Sequence, residues 1–421
     1  VRLTVKGQAA LKGTYVPGGN SNEAIALIAA SLMTDARVTL HNLPQTNAVT
    51  QMLATVEELG AAYTLQDQTL TIQTNKIATR TLTAQHTSQS LAALLTLPAI
   101  LRRRHHATIE FDVSLGRLHT HLTALKDLGI RVDVDGQTLT LDAQPWEQKR
   151  IILLETSVTA TALTCLLASG LGQQTTIYNA ASEPHLRALQ ELLVKMGVKI
   201  DGIGSNLLHI QQAESFGAAE QTVAPSYTEI ASITAISAML RGSVTITPIV
   251  NHDMTLITKI YEQLGVGTLL EDDKLHIPEQ NTFQTTRIQD EVDIEIDTAP
   301  WPGFPSDLVA ITTVLATQTQ GTTLIHEKLY NNRLLFVDKL KSMGAQIVLA
   351  DPHRAVVIGK TTLRGDYIDT PDVRIGMALL AAALCAKGET TIDRAELIER
   401  HFEGVIPKLI ALGANIEIEE A

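Results

Sequence analysis

Apolar positions along the chain fall into two alternating textures. One is the long run of small apolar residues with almost no charge: SNEAIALIAASLM, TATALTCLLASGL, YTEIASITAISAML and VRIGMALLAAALCA. Residues apolar on every face of a helical wheel predict helices buried on most sides. The other texture alternates apolar and polar residues at period two, in RVTLHNL, ATIEFDV, QTTIYNA, SVTITPI, GTTLIHE and ETTIDRA. That period predicts strands with one buried face.

A third signal sets the repeat. Leu59-Gly60-Ala61, Leu128-Gly129-Ile130, Met196-Gly197-Val198, Leu264-Gly265-Val266, Met343-Gly344-Ala345 and Leu412-Gly413-Ala414 each follow an apolar-periodic stretch. Their glycines stand 69, 68, 68, 79 and 69 residues apart. Each motif reads as a helix that stops at a C-terminal glycine and passes at once into a strand, as in MGVKIDGI and LGANIEIE. One unit is helix, strand, helix, strand, with another strand following. The period exceeds that of most solenoids, so the expectation is six packed βα units. The fifth unit is longer, and its extra residues fall around TTRIQDEVDIEIDTAPWPGFPSD, where function is expected.

Composition narrows the class. With 421 residues, 45% hydrophobic and 19% charged, the chain can build two or three domains with large cores, and 4% aromatic residues make those cores aliphatic. A formal net charge of −12 argues against a nucleic-acid partner, which needs a basic surface. No run of about 18 uncharged apolar residues occurs and no signal-like segment opens the chain, so no membrane association and a cytoplasmic location are expected. Cys165 and Cys385 sit in apolar runs and read as buried small hydrophobes. His119 and His121 lack a ligand constellation around them, and no metal or cofactor is expected.

The stretch VPGGNSNEAIALIAASL, residues 16–32, enters a helix from two glycines and small polar residues, as phosphate-binding loops do. A doubly charged phosphate usually calls for a cation as well, and the nearest are Lys12 and Arg37. Asn20, Ser21 and Asn22 equally supply N-cap residues to a buried helix. Arg102, Arg103 and Arg104 with His105 and His106 form a basic knot, either a helix end complementing a dipole or a replacement for missing cations.

Six units grouped three and three, with a glycine-containing crossover near the N-terminus, resemble the enolpyruvyl transferase family. The likeness is greater to its UDP-N-acetylglucosamine 1-carboxyvinyltransferases than to its shikimate branch. It implies an α/β (α+β) two-domain fold, an inside-out α/β barrel of βαβαββ-type units. Residues 1–20 with 228–421 would form one domain, and 21–227 the other, with a lid loop near 111–118. The specific segments are DTAPWPGFPSD, YNNRLLFVDKLKSMGA, DVRIGMALLAAAL, NAASEPHLRAL and LIERHFEGVIPKLIALGANIE.

From these the resemblance implies Asp307 as the base, with Arg333, Arg374 and Arg400 at anion-binding positions; Arg374 and Arg400 keep the family's interval of 26 residues. Pro302 and Pro305 suit a loop that holds one carboxylate in place. Asp112 falls at the position of the catalytic acid and Arg117 at that of a phosphate-binding arginine; Asp112 also reads as an exposed strand end. Asn22, Ser157, Val158, Thr159 and Leu329 match nucleotide-sugar positions. The implied reaction adds the sugar 3-hydroxyl to phosphoenolpyruvate and expels phosphate, a step of peptidoglycan precursor synthesis, with closure of the two domains excluding water.

Departures from the family pattern begin in the first half. Ser21 stands where the family has a phosphate-contacting lysine, and Ser90 where it has an arginine. Thr159 replaces a glycine of the diphosphate loop, and Tyr227 an arginine. These changes keep open a protein that binds a nucleotide sugar without transfer chemistry, or a transferase with another acceptor.

Overall fold

A computed structural model describes residues 1–87, 91–112, 115–285, 294–369 and 375–419, with Leu115 and Arg117 described by their backbone alone. The described strands form six four-stranded sheets. Each follows one plan, seen in Trp146–Ile152, which runs parallel to Gly172–Tyr178. The buried helix Val158–Leu171 connects that pair, and Pro184–Lys195 leads on to the antiparallel hairpin Lys199–Asp201 and Leu207–Gln211. This is the βαβαββ unit that the family resemblance implies.

The six glycines end their helices in one geometry. All have φ between +83° and +108°, a region open to glycine at little cost. The amide after each glycine bonds back to the carbonyl five residues earlier at 2.9–3.0 Å, as from Ala61 to Val56 and from Ala414 to Leu409. That is the Schellman stop, which satisfies carbonyls the helix leaves open and turns the chain into its next strand.

Chain contacts divide the protein into two compact units, Val1–Gly18 with Pro225–Ala421, and Gly19–Ala224. Each has its own aliphatic core. In the first, helices Tyr227–Met239, Val309–Gln318 and Gly376–Cys385 pack on one another. In the second, Val158–Leu171 packs on Leu97–Arg104, and Ser21–Ser31 on Pro184–Lys195. Both cysteines are buried within these cores, which pushes their thiols up to about 12.

Three sheets take a strand from far along the chain. Lys12–Tyr15 pairs with Ser243–Ile246 in the first unit, and Ala219–Thr222 with Val38–His41 in the second. Arg2–Lys6 completes the last sheet between Glu389–Asp393 and Asn415–Glu419.

The two chain crossings are locked by paired helix starts. In the first unit the Ser226 amide donates to the Gly18 carbonyl at 2.9 Å, and in the second the Asn20 amide donates to Ala224 at 2.8 Å. Asn20 caps helix Ser21–Ser31 by accepting from the amides of Asn22 and Glu23, and Ser226 caps Tyr227–Met239. A carboxylate in each first turn then takes a crossing amide: Glu23 accepts from Ala224 at 3.0 Å, and Glu229 from Gly18 at 3.2 Å. Both are buried. The Tyr15 hydroxyl (2.6 Å) and the Lys408 ammonium (3.3 Å) also donate to Glu229, whose carboxyl burial pushes up while Lys408 pulls it down. Gly19 is required by a close approach, since a Cβ there would overlap the Asn42 carbonyl oxygen. The glycines that read as a phosphate loop therefore serve the crossing.

The basic knot is also structural. Arg102 and Arg103 donate to the carbonyls of Met33 (2.9 Å) and Leu32 (3.2 Å), just past the C-terminus of Ser21–Ser31, and Arg102 lies 4.6 Å over the Phe216 ring. They cap a neighbouring helix rather than their own. Arg104 bonds the Ile77 carbonyl.

Two stability predictions follow from this architecture. Gly129→Ala, where only the end of Lys149 lies near the new methyl, should cost about 1 kcal/mol through backbone strain alone, and Gly19→Ala about 3 kcal/mol through overlap with backbone, read as denaturant midpoints. Glu229→Ala should cost about 3 kcal/mol, and Glu229→Gln, which keeps an acceptor for Tyr15 and Gly18, under half as much. Equal losses would contradict the assignment of Glu229 as the acceptor that locks the crossing.

Candidate active site

Asp307 occupies the short turn Ser306–Leu308 that opens helix Val309–Gln318. The preceding loop folds on itself: Gly303 bonds the Pro300 carbonyl at 2.8 Å and Ala299 bonds Phe304 at 3.1 Å. Trp301 is tilted against the buried ring of Tyr227, with centroids 5.5 Å apart. Tyr227 thus steadies the loop leading to Asp307.

The main brace is Glu327, at the end of strand Gly321–His326 and 0% exposed. Its carboxylate accepts from the hydroxyls of Thr298 (3.1 Å) and Ser306 and from the amides of Leu329 (2.8 Å) and Tyr330 (3.1 Å). No basic side chain pairs with it among the described residues. Four donors replace the water a buried carboxylate has lost. The result ties the turn of Asp307 to the loop that carries Leu329 and Arg333.

Arg333 Nη1 donates to Asp307 Oδ1 at 2.9 Å, and its guanidinium lies 4.3 Å over the Tyr330 ring. Its Nε has no acceptor among the described residues. The Asp307 side chain is 52% exposed, so the pair contributes only about 1 kcal/mol or less and opens readily for a ligand. Arg400 is half-buried beside His401. Burial lowers the His401 pKa first, Arg400 lowers it further, and the Asp307 carboxylate acts the other way. Asp307, Arg333, Arg400 and His401 thereby form one polar cluster in the first unit. His401 was missing from the sequence reading because a histidine within RHFEG carries no pattern of its own.

In the second unit, Asn22 is exposed in the first turn of its helix, and Ser21 is buried with its hydroxyl 3.0 Å from that of Thr46. Asp112 is exposed just beyond strand His106–Glu110. Ser157 caps helix Val158–Leu171, accepting from the Ala160 amide at 3.3 Å, and Thr159 Oγ1 lies 2.7 Å from Nε2 of His121. Burial lowers the His121 pKa to about 4, so the ring is neutral. Leu329 is 40% exposed in the first unit. Arg374 and Ser90 lie outside the described residues, as does the side chain of Arg117.

One cluster has the residue types of a metal site. Among the described residues, Glu295, Asp297 and His326 bring ligand atoms within 4.8 Å of one another. They already pair internally, His326 Nδ1 standing 3.2 Å from Asp297, and Lys328 bonds the other oxygen of Asp297. Among the described residues, no helix is long and apolar enough to cross a membrane.

Comparison with known proteins agrees over the whole chain. A family model described as EPSP synthase (3-phosphoshikimate 1-carboxyvinyltransferase) matches residues 5–409. The chain is 38% identical over 422 residues to UDP-N-acetylglucosamine 1-carboxyvinyltransferase of Treponema denticola, covering 99% of each. It is 36% identical over 426 residues to that of Bradyrhizobium diazoefficiens, covering 99% of this chain and 98% of the relative. Among solved structures, the enolpyruvyl transferase NikO from Streptomyces tendae matches with a TM-score of 0.88 at 20% identity, over 99% of this chain and 98% of that one. EPSP synthase from Acinetobacter baumannii matches with a TM-score of 0.76 at 16% identity, over 100% of both chains. The structural likeness establishes the fold, and the full-length sequence matches establish the lineage. The chain belongs to the enolpyruvyl transferase family.

Proposed function

We propose that this protein transfers the enolpyruvyl group of phosphoenolpyruvate to the 3-hydroxyl of UDP-N-acetylglucosamine and releases phosphate, as in peptidoglycan precursor synthesis. The carrying observation is the Asp307–Arg333 pair, 2.9 Å across and fixed from below by buried Glu327. A carboxylate beside a guanidinium can take a proton while the cation holds an anionic reactant. The names of the two full-length relatives support the acceptor.

Addition forms a bond from the sugar oxygen to C2 of phosphoenolpyruvate and a C–H bond at C3. Asp307 takes the hydroxyl proton, and Asp112 is the residue assigned to protonate C3. Asp307 then passes the hydroxyl proton to solvent; elimination breaks the C2–O bond to phosphate and one C3–H bond, and Asp307, again ionised, takes the C3 proton. Arg333 and Arg374 are assigned to the substrate carboxylate and Arg117 and Arg400 to the phosphate, while Asn22, Ser157, Val158, Thr159 and Leu329 are assigned to the nucleotide sugar.

Ser21 favours a second reading. Its buried hydroxyl, spent on Thr46 at 3.0 Å, brings no charge to the position of the family's lysine. A charge-assisted bond contributes about 1.5–3 kcal/mol, so its loss weakens the grip on phosphate considerably. In that reading the protein binds the nucleotide sugar and has lost the transfer.

Phosphate release from phosphoenolpyruvate, assayed with and without UDP-N-acetylglucosamine, separates the two. Sugar-dependent release is expected, reduced about a thousandfold in Asp307→Ala. Binding of the sugar by calorimetry without any release would instead establish the second reading. Arg333→Ala should raise the KM for phosphoenolpyruvate about tenfold or more. An unchanged KM would remove Arg333 from the carboxylate site.

A further inference from the structure

His121 is the third residue of helix His119–Asp127 and is 5% exposed. Its Nε2 stands 2.7 Å from Thr159 Oγ1, and its Nδ1 is buried with no partner among the described residues. Thr159 lies in the first turn of Val158–Leu171. Its hydroxyl has no other partner among the described residues, whereas Thr161 and Thr164 on the same helix turn theirs back to the carbonyls of Ser157 and Ala160.

A neutral imidazole carries one N–H and one bare nitrogen. Placing the proton on Nδ1 would leave a buried donor without an acceptor among the described residues, the costlier of the two omissions. The favoured tautomer therefore protonates Nε2, which donates to Thr159 Oγ1. With one lone pair engaged in that way, the hydroxyl keeps its own proton for a second acceptor. The surrounding helix end supplies the context. The amides of Val158 and Thr159 have no intrahelical acceptor, and the positive end of the helix dipole favours an anion there.

We propose that His121 is a positioning residue that aims the Thr159 hydroxyl at the anionic group of the acceptor, so that this pair sets acceptor affinity. The inference rests on the reading above, in which the Ser157–Thr159 turn takes the acceptor's phosphate. It makes the threonine that replaces a glycine a working donor rather than an obstruction. It also ties that turn to the helix that directly follows the segment of Arg117, since His119–Asp127 begins where the turn Leu115–Leu118 ends.

The test is a double-mutant cycle read by calorimetric titration with UDP-N-acetylglucosamine, alongside the acceptor KM and kcat. Thr159→Val, nearly isosteric, and His121→Leu should each weaken binding about tenfold, and the double variant no more than either alone. His121→Gln, whose amide nitrogen reaches the place of Nε2, should stay within about threefold of the parent. The acceptor KM should rise more than kcat falls. Parent binding with additive losses, no losses, or no rescue by glutamine would overturn the proposal alone. A parent protein that fails to bind UDP-N-acetylglucosamine would overturn the reading of the turn, and the proposal with it. Should His121→Leu fail to fold, Thr159→Val and His121→Gln still decide: weak binding in the first with near-parent binding in the second supports the proposal, and any other pattern refutes it.

Discussion

The chain passes between its two compact units twice, and within each unit the two passing segments are bound to each other. Each is anchored by a helix start: a capping side chain, Asn20 or Ser226, and a buried first-turn carboxylate, Glu23 or Glu229, that accepts a backbone amide from the other pass. Backbone groups in a buried crossing have no water to bond, so each needs a partner in the protein. The carboxylates provide it at the end of a helix whose dipole favours negative charge. Within each unit one sheet joins a strand beside one pass to a strand beyond the other, Lys12–Tyr15 to Ser243–Ile246 and Ala219–Thr222 to Val38–His41.

The same economy recurs at the polar cluster of the first unit. Among the described residues Glu327 has no cationic partner and is solvated by hydroxyls and amides of two loops. One carboxylate thereby fixes the positions of another, Asp307, and of Arg333. The Asp307 carboxylate above it is half exposed and its ion pair weak, which suits a group that must exchange partners with a ligand. Rigidity lies beneath the site and adaptability at its surface.

The departures from the family pattern also acquire physical meaning. Tyr227 packs under Trp301, and Ser21 bonds Thr46, so both replacements are absorbed by neighbours. Arg102 and Arg103, which as sequence could have stood in for the missing cations, are occupied with the carbonyls of Met33 and Leu32. Thr159 meets His121.

By itself the sequence determined the six-unit plan, the buried helices, the half-buried strands and the six glycine stops. These are local properties, set by periodicity and by the one residue type that readily adopts positive φ. It also marked Asp307 and Arg333 through a family resemblance. Only the tertiary structure decided which strand joins which sheet, because nothing in Lys12–Tyr15 or Ala219–Thr222 marks a partner and their partners lie more than 170 residues away. It alone revealed that Gly19 answers a neighbouring carbonyl, that Glu327 braces two loops, and that His121 reaches Thr159. Each of those facts is a contact between residues distant in the chain, and no local pattern encodes such a contact until the chain has folded.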